Sequence, residues 1–202
     1  MTIHRKHITI LLTVLFFLGC ISAGFPFAAV MKEDDPDKDV IVSKTVQYLK
    51  ERRLSTTDDK LKTIATSVYE ESQKYDIDYR LVLAVMKVES NFQNEAISRK
   101  GARGLLQIKP TLARYISKDA GVEIKGTKTL HEPEKNIKIG VNYLSKLMDM
   151  FDNITAALHA YNAGPTKVRR TDATDEQPQT RFTKKVMDEY DRIVEVLPDP
   201  EE

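Results

Sequence analysis

The chain is 202 residues long, 41% apolar and 30% charged, which suits one ordinary soluble domain with a targeting segment and a linker. Its 31 basic residues nearly cancel 30 acidic ones, leaving a net charge of +1, and no aromatic–basic interleaving occurs, so nothing points to nucleic acid. The single cysteine, Cys20, lies in the N-terminal apolar segment and His4, His7, His131 and His159 are scattered, so the folded part has no thiol for a disulfide and neither metal nor cofactor is expected.

Residues 1–31 look like a targeting segment: His4-Arg5-Lys6-His7 is basic and Ile8 to Leu18 is uncharged and apolar. Three outcomes stay open. Cleavage after Ile21-Ser22-Ala23 releases a soluble protein. Phe17-Leu18-Gly19-Cys20 resembles a bacterial lipobox, which would put a lipid on Cys20. Ile8 through Met31 is also long enough to remain as an uncleaved membrane anchor. All three export the domain to the cell envelope.

Residues 32–57 read as a linker and an N-terminal helix. Lys32 to Asp39 is acidic and proline-broken, and Val40 to Arg53 places Val42, Val46 and Leu49 at helical spacing. Asp58 to Tyr75 carries Leu61, Ile64, Ala65, Val68 and Tyr69 on one face, with Thr56 or Thr57 as its cap. Asp78 is placed to cap a helix over Tyr79 to Glu89 that is apolar on nearly all sides and so belongs in the core. Periodicity is lost from Asn91 to Arg103, where Gly101 and Gly104 mark a constrained loop. Pro110 to Ser117 reads as a helix opened by proline, and Lys118 to Lys128 as a surface excursion.

Pro133 to Phe151 reads as a long helix with a stripe of Ile137, Val141, Leu144, Met148 and Phe151. A short helix over Ile154 to Tyr161 stops at Ala163-Gly164-Pro165, Thr171 to Pro178 is a polar loop, and Gln179 to Leu197 is the last helix. No repeat and no hairpin emerges. The class is therefore all-α, with one domain over residues 58–197 and an acidic tail at 198–202.

Glu89 stands out. It ends the apolar run Leu81-Val-Leu-Ala-Val-Met-Lys-Val-Glu89 and precedes a stretch rich in glycines and amides. A carboxyl at that place is desolvated by the surrounding apolar helix and lies at the negative end of the helix dipole. Both effects disfavour its anion, which makes it a candidate proton donor in a cleft.

Four blocks occur in order: Glu89-Ser90-Asn91-Phe92; Ser98-x-x-Gly101-Ala102-x-Gly104-Leu-Leu-Gln107; Asn136-x-x-x-Gly140-x-x-Tyr143-Leu144; and Ala160-Tyr161-Asn162-Ala163-Gly164-Pro165. Together they resemble the catalytic domain of soluble lytic transglycosylases, bacterial enzymes of lysozyme-like (goose-type) fold that cut peptidoglycan. The resemblance covers about residues 60–195. It implies that Glu89 is the single acid/base, that Ser90 helps to position the substrate, and that Gln107, Tyr161 and Asn162 line the sugar cleft. Asn136, Gly140 and Tyr143 are expected to serve helix packing, and His159, where the family has a small residue, to be structural.

The last helix departs from the pattern. The family has a Glu-Thr and then a tyrosine whose hydroxyl reaches the catalytic carboxyl, whereas the nearest stretch here is Gln179-Thr180-Arg181-Phe182, with no phenol.

Most glycosidases pair two carboxylates. The other motif blocks offer no second one, and the resemblance implies an intramolecular route: the 6-hydroxyl of N-acetylmuramic acid attacks C1 and leaves a 1,6-anhydromuramoyl end. The expected partner is the glycan strand of peptidoglycan. The competing readings are a hydrolytic muramidase with the same acid, and a weakly active peptidoglycan-binding or secretion-apparatus protein.

Overall fold

The computed structural model describes residues 36–52, 56–171 and 180–200. The targeting segment read over residues 1–31, including Cys20, lies outside the described residues, as do residues 172–179. Eight α-helices follow one another in the described part: α1 (Pro36–Glu51), α2 (Asp58–Tyr75), α3 (Tyr79–Ser90), α4 (Pro110–Ile116), α5 (Pro133–Met150), α6 (Ile154–Ala163), α7 (Pro165–Thr171) and α8 (Arg181–Val194), with a 3₁₀ turn over Thr127–His131 before α5. The only β-pairing among the described residues is two isolated bridges, Ile97 with Arg103 and Arg103 with Ile108. The all-α expectation holds.

The helix starts follow from side-chain chemistry. The Thr57 hydroxyl accepts from the Lys60 N–H, Asp78 from the Arg80 N–H and Asn153 from the Thr155 N–H, each satisfying a first-turn donor that has no intrahelical partner. Pro110 and Pro133 open their helices where no amide donor is needed. Helix α2 stops at Asp76, in the left-handed region, and the next N–H, of Ile77, reaches back to the Ser72 carbonyl at 3.0 Å.

Two boundaries differ from the sequence reading. Helix α1 begins at Pro36, so the end of the stretch read as linker is its first turn. Ile41, Val42, Tyr48 and Leu49 of α1 are buried, and α1 packs on α2. The segment after Gly164 also forms a helix, α7, because the proline that stops α6 is well suited to start the next one.

Helix α3 is the axis of the core. Leu81 through Met86 are all buried, as a helix apolar around its whole circumference must be, and α2 and α8 pack against it. Helices α3 and α8 run antiparallel. Near the N-terminus of α3, the Tyr190 hydroxyl of α8 donates to Asp78 at 2.7 Å. Arg80 forks onto Asp78 and reaches Asp199, while the Tyr79 hydroxyl donates to the Pro198 carbonyl at 2.7 Å. The start of the acidic tail is thus fastened to α3. The opposite end of α3, carrying Glu89, faces the loop over residues 91–108 and the α5–α6 pair.

Candidate active site

Glu89 occupies the last turn of α3 and is partly buried, although its neighbour Ser90 is fully so. Burial pushes its carboxyl up to about 7, and no neighbouring charge contributes to that shift. Among the described residues no side chain donates to it. A carboxyl in this state is half-protonated near neutrality and keeps its hydrogen-bonding capacity for whatever enters the cleft.

The cleft wall is built from the loop over residues 91–108, and its shape is fixed mainly by hydrogen bonds to main-chain atoms. Ser90 Oγ donates to the Leu105 carbonyl at 2.8 Å and lies 3.2 Å from the Met86 carbonyl. The hydroxyl proton expected to help substrate is therefore spent inside the protein, tying the acid-bearing helix to the wall. Gln107 sits at φ 48°, in the left-handed region, and its Nε2 donates to the carbonyls of Gly104 (2.9 Å) and Ala96 (3.3 Å). Only its carbonyl oxygen is left to accept from anything that enters the site.

Asn136, buried on α5, is the bracket of the site. Its Oδ1 accepts the Leu106 N–H at 2.8 Å, and its Nδ2 donates to the carbonyls of Leu130 (2.8 Å) and Arg103 (3.0 Å). Gly104 lies directly against it: a Cβ there would come within 2.2 Å of the Leu130 oxygen and 2.3 Å of Asn136 Nδ2, and its φ is +76°. Only glycine fits. Gly140, one turn further along α5, gives way to Leu106, whose Cδ1 would lie 2.4 Å from an added Cβ. The expectation that Asn136 and Gly140 serve packing thus gains a specific content. They fix where Leu106 sits in the loop that follows Glu89.

On the α6 side, the Tyr161 hydroxyl donates to the Leu106 carbonyl at 2.8 Å, and its ring tilts against Tyr143 with centroids 5.4 Å apart. Burial, then the negative charge of Glu89, then Tyr143 push the Tyr161 phenol well above its ordinary value, so it stays neutral. Glu89 and Tyr161 are therefore electrostatic neighbours. Asn162 is exposed at the end of α6, free to meet a ligand. His159 is half-buried, with Nδ1 shielded from solvent and lacking a partner among the described residues.

Phe182, at the start of α8, packs partly buried on the core. It supplies no hydroxyl, in keeping with the absence of any donor to Glu89 among the described residues. No group of three or more His, Cys, Asp or Glu side chains among those residues is placed to hold a metal ion.

The sequence profile of the Transglycosylase SLT domain matches residues 66–183, which carry every element of this site. The chain belongs to that family. It is 34% identical over 142 residues to a membrane-bound lytic murein transglycosylase C of Photorhabdus laumondii, covering 64% of this chain and 40% of the relative. It is 35% identical over 118 residues to the protein of the same description from Shigella sonnei, covering 54% and 33%. The chain thus spans well under half the length of these curated relatives.

Among solved structures, it superposes on an inactive mutant of the lytic transglycosylase Slt of Pseudomonas aeruginosa with a TM-score of 0.57 at 25% identity, over 66% of this chain and 25% of that one. The 70 kDa soluble lytic transglycosylase of Escherichia coli gives 0.55 at 22% identity, over 78% and 30%, a likeness of fold. The lysozyme-like architecture expected from the motif blocks is the one observed.

Proposed function

We propose that this SLT-family chain is the catalytic part of a peptidoglycan lytic transglycosylase. It cleaves the β-1,4 bond between N-acetylmuramic acid and N-acetylglucosamine and leaves 1,6-anhydromuramoyl ends. The observation that carries this reading is the Glu89 carboxyl at the end of α3, raised by burial to about 7 with no charged partner among the described residues. Protonated, Glu89 gives its proton to the departing glycosidic oxygen while positive charge develops at C1. Ionised, it takes the proton of the muramoyl 6-hydroxyl, which attacks C1 from within the same sugar and so needs no second protein carboxylate.

Gln107 Oε1 and Asn162 meet the sugar, and the neutral Tyr161 lines the cleft by its ring while its hydroxyl stays on the Leu106 carbonyl. Ser90 acts through the wall it holds. A hydrolytic muramidase would use the same acid with water as nucleophile. The departure at Phe182 is the observation that favours the other alternative, a peptidoglycan-binding protein with little turnover.

The names of the membrane-bound relatives support a place in the cell envelope. No helix among the described residues is long and apolar enough to cross a membrane. Residues 1–31 either are cleaved to release the domain or tether it, by lipid on Cys20 or as an uncleaved anchor.

The deciding experiment digests purified peptidoglycan and weighs the released muropeptides. Anhydro ends, one water lighter than reducing ends, are expected. Reducing ends would establish the muramidase instead, and binding without release the scaffold. Glu89→Gln abolishes release while binding persists; cleavage by that variant would remove Glu89 from the role of acid.

A further inference from the structure

The turn that follows the acid is held in an unfavourable backbone shape. Asn91 and Phe92 sit at φ 52° and 61°, two consecutive left-handed residues. Asparagine adopts that region readily; a bulky aromatic does so only where its surroundings hold it there. Phe92 is held by Tyr48 of α1, on which it packs edge-to-face with centroids 6.2 Å apart and ring planes at 88°. Both rings are fully buried.

Tyr48 is itself fixed from several directions. The Arg52 guanidinium stacks 3.2 Å from the ring centroid while its Nη1 donates to the Tyr48 carbonyl at 2.8 Å. The Tyr48 hydroxyl lies 3.5 Å from Glu189 of α8, and Glu189 is anchored by Arg192 at 2.7 Å. The same turn closes the end of α3: the Asn91 N–H donates to the Lys87 carbonyl and the Gln93 N–H to the Ser90 carbonyl, both at 3.0 Å. The last helical turn and its carboxyl therefore move with Phe92.

We infer that Tyr48 is a positioning residue for Glu89, acting through Phe92, and that α1 is a working part of the enzyme although it precedes the segment matched by the family profile. The inference rests on Glu89 being the acid. Without the Tyr48 ring, Phe92 loses its edge-to-face partner, and the left-handed turn is left to its two backbone hydrogen bonds and to the Lys87 ammonium 5.9 Å from the Phe92 ring centroid. The end of α3 then frays, and water reaches the carboxyl.

The test uses the full chain with Tyr48→Ala, Tyr48→Leu to fill the space with no flat face, and Tyr48→Phe to keep the ring. The Glu89 carboxyl is titrated by carbon-13 NMR, its signal being the one missing in Glu89→Gln, and kcat and KM are measured on peptidoglycan. Tyr48→Ala and Tyr48→Leu should lower the Glu89 midpoint by about one unit, as desolvation is relieved. They should cut kcat between about 10- and 100-fold with KM unchanged, the cost of a displaced catalytic group. Tyr48→Phe should restore both.

A lowered Tm with wild-type midpoint and kcat in either non-aromatic variant would reduce Tyr48 to a core residue and overturn the inference. If Tyr48→Ala does not fold, Tyr48→Leu decides. Activity retained by Glu89→Gln would sink the assignment of the acid alone, because the NMR midpoint reports the hold of Tyr48 on the turn without any turnover.

Discussion

Replacing Asn136 by alanine removes three hydrogen bonds at once, and the structure says what each loss is worth. The Leu106 N–H and the Leu130 carbonyl lose their only partners among the described residues, whereas the Arg103 carbonyl keeps the Ile108 N–H at 2.9 Å. Two groups are thus orphaned and a third weakened. An unpaired buried polar group costs about 1–3 kcal/mol, so the expected loss is about 2–6 kcal/mol. Against a total stability of about 5–15 kcal/mol for a domain, that is a large fraction.

Urea unfolding measures the loss as a lowered midpoint at unchanged slope. Asn142→Ala is the matched control on the same helix: its amide makes a single bond, to the half-buried Tyr75 hydroxyl at 2.8 Å, which solvent can replace. Its cost should stay near about 1 kcal/mol. If Asn136→Ala costs no more than Asn142→Ala, the bracket is not what fixes the cleft wall, and the reasoning fails.

Four other outcomes rest on the same geometry. Because the Glu89 carboxyl is raised from 4.5 to about 7, the folded state holds its proton more tightly than the unfolded chain. This contribution is fully present below pH 4.5 and is lost as pH rises through about 7. Glu89→Gln should therefore match the wild type at pH 4 and exceed its stability at pH 8 by up to about 3 kcal/mol, checked by denaturant titrations at both pH values. Wild-type kcat/KM should fall above pH about 7 as the donor is lost. Gly140→Ala drives a Cβ to within 2.8 Å of the Leu106 Cβ, an atom that cannot swing aside; the overpacking should outweigh the gain in helix propensity and lower stability by about 1–2 kcal/mol in thermal unfolding. Tyr161→Phe orphans the Leu106 carbonyl and should cost about 1–2 kcal/mol in the same measurement, with reduced turnover.

The sequence carried the helices well because their signals are local. Asp58–Tyr75 ends where its apolar face ends, and Asp78 caps α3 because a carboxylate before an apolar run has few other uses. Helix α7 is hidden in the sequence because Gly164-Pro165 reads as a stop, although proline serves equally as a first helical residue. The start of α1 was hidden because a run of acidic residues reads as solvated linker, whereas Asp37 and Asp39 sit in the first turn, where the helix dipole favours negative charge.

At the site, the nearness of Glu89 and Tyr161 was legible, and the two lie in one electrostatic neighbourhood. The interior bonds of Ser90 and Gln107 were not. A side-chain type shows that a donor exists, but not that a main-chain carbonyl far away in sequence will take it. The part played by Tyr48 was equally hidden, since α1 and the turn at Phe92 meet only once the chain has folded.

Leu106 gives the wall an unusual kind of definition. Its N–H is set by Asn136, its carbonyl by Tyr161 and its side chain by the gap at Gly140, while the neighbouring Leu105 carbonyl is set by Ser90. The position of the wall relative to Glu89 is therefore referenced to peptide groups, which every amino acid possesses. Side chains that point into the cleft from this loop are guests on that frame rather than parts of it. On the proposed function, exchanging them should retune which glycan is accepted without moving Glu89, provided that the four residues holding Leu105 and Leu106 are left alone.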